Sequence, residues 1–267
     1  MKQYAGFLNT PTLWTGTQFS LTQFEIPRID LSTFSATTIP PHLRLGHQVE
    51  YIFKQLLDHS ERYTVLAHNI QIKRDKITLG ELDFVVEDRF RESVKIHIEL
   101  TYKFYIIDTT VASPIHQLMG PNRKDHFYLK VQKTRDRQLP LAYSAEGLDA
   151  LQSINVNPEQ LEQCTLFMGQ LFTPYNKNVI LPEEINPRAI IGYWMQLDDF
   201  CTASFLDYRY YITTKPEWLH EPYNEVNWLN HKEALAIIRE KHTLKRAPLV
   251  WIQKDDATVD KAFVVWW

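Results

Sequence analysis

Cysteine is nearly absent. Cys164 and Cys201 are the only two in 267 residues, far apart and without metal-ligand spacing. They offer neither a disulfide framework nor a thiolate metal site, so two free buried thiols in a reducing compartment are expected. Long apolar runs are also missing. No stretch approaches the ~20 apolar residues that a membrane-spanning helix needs. The opening M-K-Q-Y-A-G-F-L-N-T lacks a signal-type apolar run. The expectation is a soluble, cytoplasmic protein without a membrane partner. Nor does one sign of charge dominate: 29 Lys and Arg stand against 32 Asp and Glu, a net −3. No global basic field advertises a nucleic acid, and any such site must be a local patch. Internal repeats and low-complexity tracts are absent as well.

What is present is an ordinary globular composition, 44% hydrophobic and 23% charged, on a chain long enough for a sizeable core. Aromatics reach 13%, and six of the seven Trp lie at or after Trp194. That tail reads as core, not as a ligand box. Residues 1–40 are rich in Thr, Ser and Pro but carry Trp14, Phe19, Phe24 and Phe34, which suits an arm packed on the body. The expected organisation is an arm over 1–40, an α/β core over 41–172 and a β-rich extension over 173–267.

The chain is organised around residues 80–103. They read G-E-L-D-F-V-V-E-D, a charged turn, then V-K-I-H-I-E-L-T-Y-K. In a strand, residues two apart share a face. Glu81 and Asp83 share one face of the first segment. His97, Glu99, Thr101 and Lys103 share one face of the second. If the strands pair antiparallel, both polar faces can point into one cleft. Two carboxylates and a lysine there are the parts needed to bind a hard divalent cation and hydrolyse a phosphodiester.

The flanking segments extend this pattern. Leu45, Val49, Ile52, Phe53, Leu56 and Leu57 predict a helix over 42–59, with Glu50 beside its apolar stripe. Glu50 is either a half-solvated flank or a further carboxylate of the cleft. Strands are expected over 63–72, 77–86 and 94–107, forming an antiparallel meander. A helix is expected over 125–138, with Asp125 in its first turn. From Gly120 to Gln138 the chain carries Arg123, Lys124, Lys130, Lys133, Arg135 and Arg137 against Asp125 and Asp136. This is the most basic stretch. It is either a wet helix face or a source of phosphate contacts from Arg123, Lys124 and Lys133. Further strands are expected over 164–172, 189–197, 204–213 and 262–267, with a short helix over 234–241.

Taken in order, these elements resemble the PD-(D/E)XK, or restriction-endonuclease-like, nuclease superfamily. Its core runs helix, three-stranded meander, helix, strand. The G-E-L-D segment resembles the Asp-bearing strand, and H-I-E-L-T-Y-K-F the strand with the Glu-x-Lys half-motif. The resemblance implies Asp83, Glu99 and Glu50 as ligands of Mg2+ or Mn2+. The family places Lys two residues after the Glu, where this chain has Thr101. Lys103 starts roughly 13 Å along the strand from Glu99 instead of ~7 Å. Either Lys103 or Lys130 then supplies the charge. Across roughly residues 5–250 the motifs F-L-N-T-P-T-L-W, L-G-H-Q-V-E, I-E-L-T-Y-K-F-Y and G-P-N-R-K-D-H-F-Y-L-K-V-Q-K are also similar to a bacterial family called domain of unknown function eighteen fifty-three.

Three functions fit these residues: a Mg2+- or Mn2+-dependent nuclease acting on DNA or RNA, an inactive nuclease-like fold that binds nucleic acid, and an interaction scaffold. Glu81 is expected to support Asp83 from the same face. His97, on the face of Glu99, is either a base or an ordinary strand residue, and the latter is expected.

Overall fold

The computed structural model describes residues 1–255 and 258–267. In chain order the elements are α1 (Lys2–Asn9), β1 (Thr17–Gln18), β2 (Leu21–Thr22), α2 (Leu45–His59), β3 (Tyr63–Arg74), β4 (Ile77–Asp88), β5 (Val94–Ile107) and β6 (Leu118–Met119). Then come α3 (Phe127–Lys133), a π turn (Thr134–Gln138), α4 (Leu139–Leu141), α5 (Ala145–Ser153) and β7 (Leu161–Pro174). The last group is β8 (Ile190–Gln196), α6 (Leu197–Phe200), β9 (Arg209–Ile212), α7 (His231–Thr243), β10 (Leu249–Gln253) and β11 (Val259–Val265). The protein is mixed α/β, with mostly antiparallel strand pairing. Among the described residues no helix is long and apolar enough to cross a membrane.

The chain forms two compact units. The meander unit comprises Thr12–Tyr102 and Leu129–Met168; the terminal unit comprises Met1–Pro11, Lys103–Tyr128 and Gly169–Trp267. The boundaries expected at 40 and 172 do not coincide with these. The division falls within two strands, between Tyr102 and Lys103 of β5 and between Met168 and Gly169 of β7.

In the meander unit, β3, β4 and β5 pair antiparallel in sequence order. The expected turn at Asp75 is present, and Asp75 takes a φ of 53°. The apolar stripe of α2 buries Val49, Ile52, Phe53, Leu56 and Leu57. Phe53 meets Phe84 of β4 edge-to-face at 5.0 Å and Phe24 of the arm at 5.9 Å. Trp14, Phe24 and Phe34 are all buried, so the arm packs as its aromatics demand. Leu82 and Val85 of β4 join Ala142, Leu151, Val156 and Leu161 in a second apolar cluster.

In the terminal unit, β7 pairs parallel with β8, and β8 parallel with β11; β11, β10 and β9 are antiparallel. Phe200, Phe205, Tyr210, Ile238, Val250, Ile252 and Val264 form its core. Trp218 and Trp251 are buried, whereas Trp194, Trp228, Trp266 and Trp267 are only half-buried.

Several expectations need correction. The basic helix begins at Phe127, so Asp125 precedes its first turn and pairs with Lys103 instead. The strand expected over 204–213 shrinks to Arg209–Ile212, because Ala203–Phe205 takes a tight helical turn. Cys164 is half-buried, with its thiol pushed up to about 11 by burial, but Cys201 is exposed. The elements α1 and β10 were not expected. α1 carries Gly6 mid-helix, normally unfavourable. A Cβ there would lie 1.8 Å from the Leu219 carbonyl, so close packing in the terminal unit selects the glycine.

Candidate active site

The meander unit brings four carboxylates into electrostatic reach of one another. The β4–β5 register pairs Phe84 with Ile98 and Val85 with His97. One further step sets Asp83 opposite Glu99 on the same face. The Leu100 N–H turns to Asp83 and donates to Oδ2 at 2.8 Å. On β3, His68 and Ile70 pair with Phe84 and Leu82, which sets Asn69 beside Asp83. Asn69 has a φ of 53°, a left-handed strand residue of the kind that marks strain near functional sites. Its Nδ2 donates to Glu50 Oε2 at 3.1 Å, and its buried Oδ1 has no partner. Glu50 Oε2 also meets His47 Nδ1 at 3.1 Å. Glu50 thus reaches inward from α2 through Asn69.

Glu99 is almost wholly buried, with 1% exposure. Its Oε1 lies 3.0 Å from His97 Nε2, and its Oε2 accepts from Gln138 Nε2 at 2.5 Å. Gln163 donates through Nε2 to both the Leu139 carbonyl and His97 Nδ1. Nδ1 therefore accepts, and the hydrogen-bond network assigns the ring proton to Nε2, which donates to Glu99. His97 is fully buried and locks Glu99 in place, a more definite part than the ordinary strand residue expected. Thr101, also buried, leaves its Oγ1 without a partner.

The lysine beside these acids is Lys130. Its Nζ donates to Gln138 Oε1 at 2.7 Å, so one glutamine joins Lys130 to Glu99. Gln138 sits on the π turn, a helical irregularity frequent at functional sites. Lys103 belongs to the terminal unit and is held by Asp125 at 2.6 Å. Arg123, in that same unit, is spent on Asp108 at 3.2 Å and lies 4.0 Å over the Trp267 ring. Lys124 and Lys133 are exposed, in the terminal and meander units respectively.

Electrostatics separate two kinds of acid in the meander unit. Burial, then the Glu99 charge and then Glu50 push the Asp83 carboxyl up to about 8; the Leu100 N–H and Lys130 oppose them. Glu81 is raised by burial, Glu50 and Glu99, against His47. Asp88, fully buried on the same strand, goes the other way. Arg62 grips it through Nε at 3.0 Å and through a second nitrogen at 2.6 Å, and holds its carboxyl below the usual range. Asp83 has no such partner. Perturbed, uncompensated acids of this kind mark functional sites more often than structural ones.

The donor chemistry suits a hard divalent cation: crowded carboxylate oxygens, with Asp83 pushed toward its protonated form first by burial and then by Glu99. As they stand, no three His, Cys, Asp or Glu side chains among the described residues form a group able to hold a metal ion. Both Glu99 oxygens are already engaged by His97 and Gln138.

Fold and site together define a mixed α/β protein with a partly buried carboxylate cluster on paired antiparallel strands and helix α2, served by a lysine-bearing helix. The chain belongs to the family described as a domain of unknown function, DUF1853, whose model matches residues 2–265. No curated protein and no solved structure matches it.

Proposed function

We propose that the protein is a divalent-metal-dependent nuclease of the restriction-endonuclease-like type, with Asp83, Glu99 and Lys130 at its centre. The observation that carries this is geometric: the β4–β5 register sets Asp83 against Glu99, and Gln138 joins Glu99 to Lys130. Two acids and a lysine acting on one another is the minimum equipment for phosphodiester hydrolysis. The order helix, meander, helix, strand in α2, β3–β5, α3–α5 and β7 agrees with that reading.

In this scheme Asp83, Glu99 and Glu50 would hold Mg2+ or Mn2+ only after Glu99 turned from His97 and Gln138, since as they stand they form no metal-holding group. The cation would supply Lewis acidity that eases water deprotonation and offsets phosphate charge. Lys130 carries a positive charge toward the developing oxyanion. His97 and Gln138 fix the Glu99 rotamer. Lys133 and Arg137, both exposed in the meander unit, supply phosphate contacts. The substrate is DNA or RNA.

The test is turnover of labelled DNA and RNA with Mg2+ or Mn2+, with a chelator as control. Chelator-sensitive cleavage that Asp83→Asn abolishes is the expected result. A second reading has its own observation: the engagement of both Glu99 oxygens suits a fold that binds nucleic acid without cutting it. Salt-dependent binding with no cleavage on any substrate would decide for that reading.

A further inference from the structure

The terminal unit buries a lysine that the nuclease reading does not use. Lys261 lies mid-strand on β11, only 7% exposed, between β10 and β8. An ammonium has three donors. Among the described residues its one hydrogen-bond partner is Gln170 Oε1, at a long 3.4 Å, and no carboxylate lies within ion-pair distance, although Glu221 acts on it from further off. A buried charge so poorly compensated is costly. Its direct ladder partner is Trp251, so both side chains stand on the same face of the sheet. The Trp251 indole N–H is buried and has no acceptor. Lys261 thus donates through one long bond only, and a buried ammonium with spare donors calls for a further acceptor.

A cavity of about 290 Å³ opens onto Lys261, lined also by Gln170, Thr10, Asn9 and Glu221. We propose that this cavity binds a small carboxylate anion, seated against the Lys261 ammonium. The charge balance selects a single negative charge. One buried cation, Lys261, and one carboxylate, Glu221, line the space, so a second negative charge on the ligand would be repelled. Glu221 is itself drawn aside by Asn9 Nδ2 at 2.9 Å. Among charges, nearby His220 feels the Glu217 carboxylate first and then Lys2, Lys261 and the N-terminal amine, so charges of both signs surround the wall. Burial lowers the Lys261 ammonium to about 8, so it still carries its charge near neutrality.

Titration calorimetry at pH 7 with acetate, benzoate and inorganic phosphate, at matched ionic strength, tests this. Methylammonium chloride is the cation control. Saturable binding of acetate or benzoate, with phosphate and methylammonium inert, is expected. Lys261→Met keeps the stem and removes the charge, and should weaken binding about ten- to a hundredfold. Equal binding by the variant, no carboxylate binding by wild type, or equal response to phosphate overturns the proposal. Should Lys261→Met not fold, wild-type acylation by an amine-reactive reagent, mapped by mass spectrometry, replaces it. A bound carboxylate must then slow modification of Lys261 but not of exposed Lys124, and unprotected Lys261 overturns the proposal.

Discussion

The meander unit and the terminal unit each bury an ionisable group without a full partner, and the groups have opposite sign. In one, Asp83 sits among other acids, and burial drives it toward the protonated form. In the other, Lys261 sits in a sheet interior, and burial drives it toward the free amine. The meander unit also contains its own control: Asp88, more completely buried than Asp83, is matched by Arg62. Burial of a charge therefore does not by itself mark a site here. Burial without a matching partner does.

The largest expected effect is on chemistry. Asp83→Asn and Lys130→Met should each lower metal-dependent cleavage roughly 10²–10³-fold, measured on labelled DNA and RNA. Lys103→Ala and Thr101→Ala should not approach that loss, since Lys103 is bound to Asp125 and Thr101 carries no charge. A Lys103→Ala loss equal to that of Lys130→Met would reverse the assignment of the lysine.

Next comes the contrast between matched and unmatched acids. Asp88→Asn leaves Arg62 without its partner and should cost about 3 kcal/mol in denaturant unfolding. Asp83→Asn removes an uncompensated acid and should be neutral or stabilising above pH 8. Equal destabilisation by both would erase the distinction.

A third contrast is the pH dependence, whose sign differs between the units. Folded Asp83 keeps a proton between about 4 and about 8 that the unfolded chain has released. Its contribution to stability therefore falls as pH rises through that window. Folded Lys261 has released a proton between about 8 and ~10.4 that the unfolded chain still holds. Its contribution therefore rises with pH there. Unfolding at pH 5, 8 and 10 should show the first slope abolished in Asp83→Asn and the second in Lys261→Met. Either slope surviving its own substitution would mean that another group produces it.

Much of the meander unit was legible in the chain. The 3.6-residue stripe of α2 and the alternation of β3 to β5 are strong periodic signals, and they locate Glu50, Asp83 and Glu99 on their elements. The side chains that tie the cluster together were not legible. Gln138, Gln163 and Asn69 are neutral amides whose role comes from contacts distant in sequence, and the left-handed backbone at Asn69 leaves no compositional mark. The internal pairing of Lys103 and Arg123 was hidden for the same reason, since Asp125 and Asp108 lie 22 and 15 residues away. In the terminal unit, β10 reads as one more apolar run inside a Trp-rich tail. Lys261 looks like the polar half of an alternating strand until both faces prove to be covered.

The π turn has a consequence of its own. A regular helix advances about 100° per residue, so eight residues would leave Gln138 about 80° around the axis from Lys130. A π turn acts as one residue too many within the helix, which cancels about 100° of that advance and brings the two side chains to within about 20° of a common line. The turn is therefore a phase shifter. It lets a single helix present Val131 and Leu139 to the interior while aligning a cation and an amide on one side. Deleting one residue from Thr134–Gln138 would restore the ordinary pitch and put everything downstream out of phase with Glu99 without altering any of those side chains.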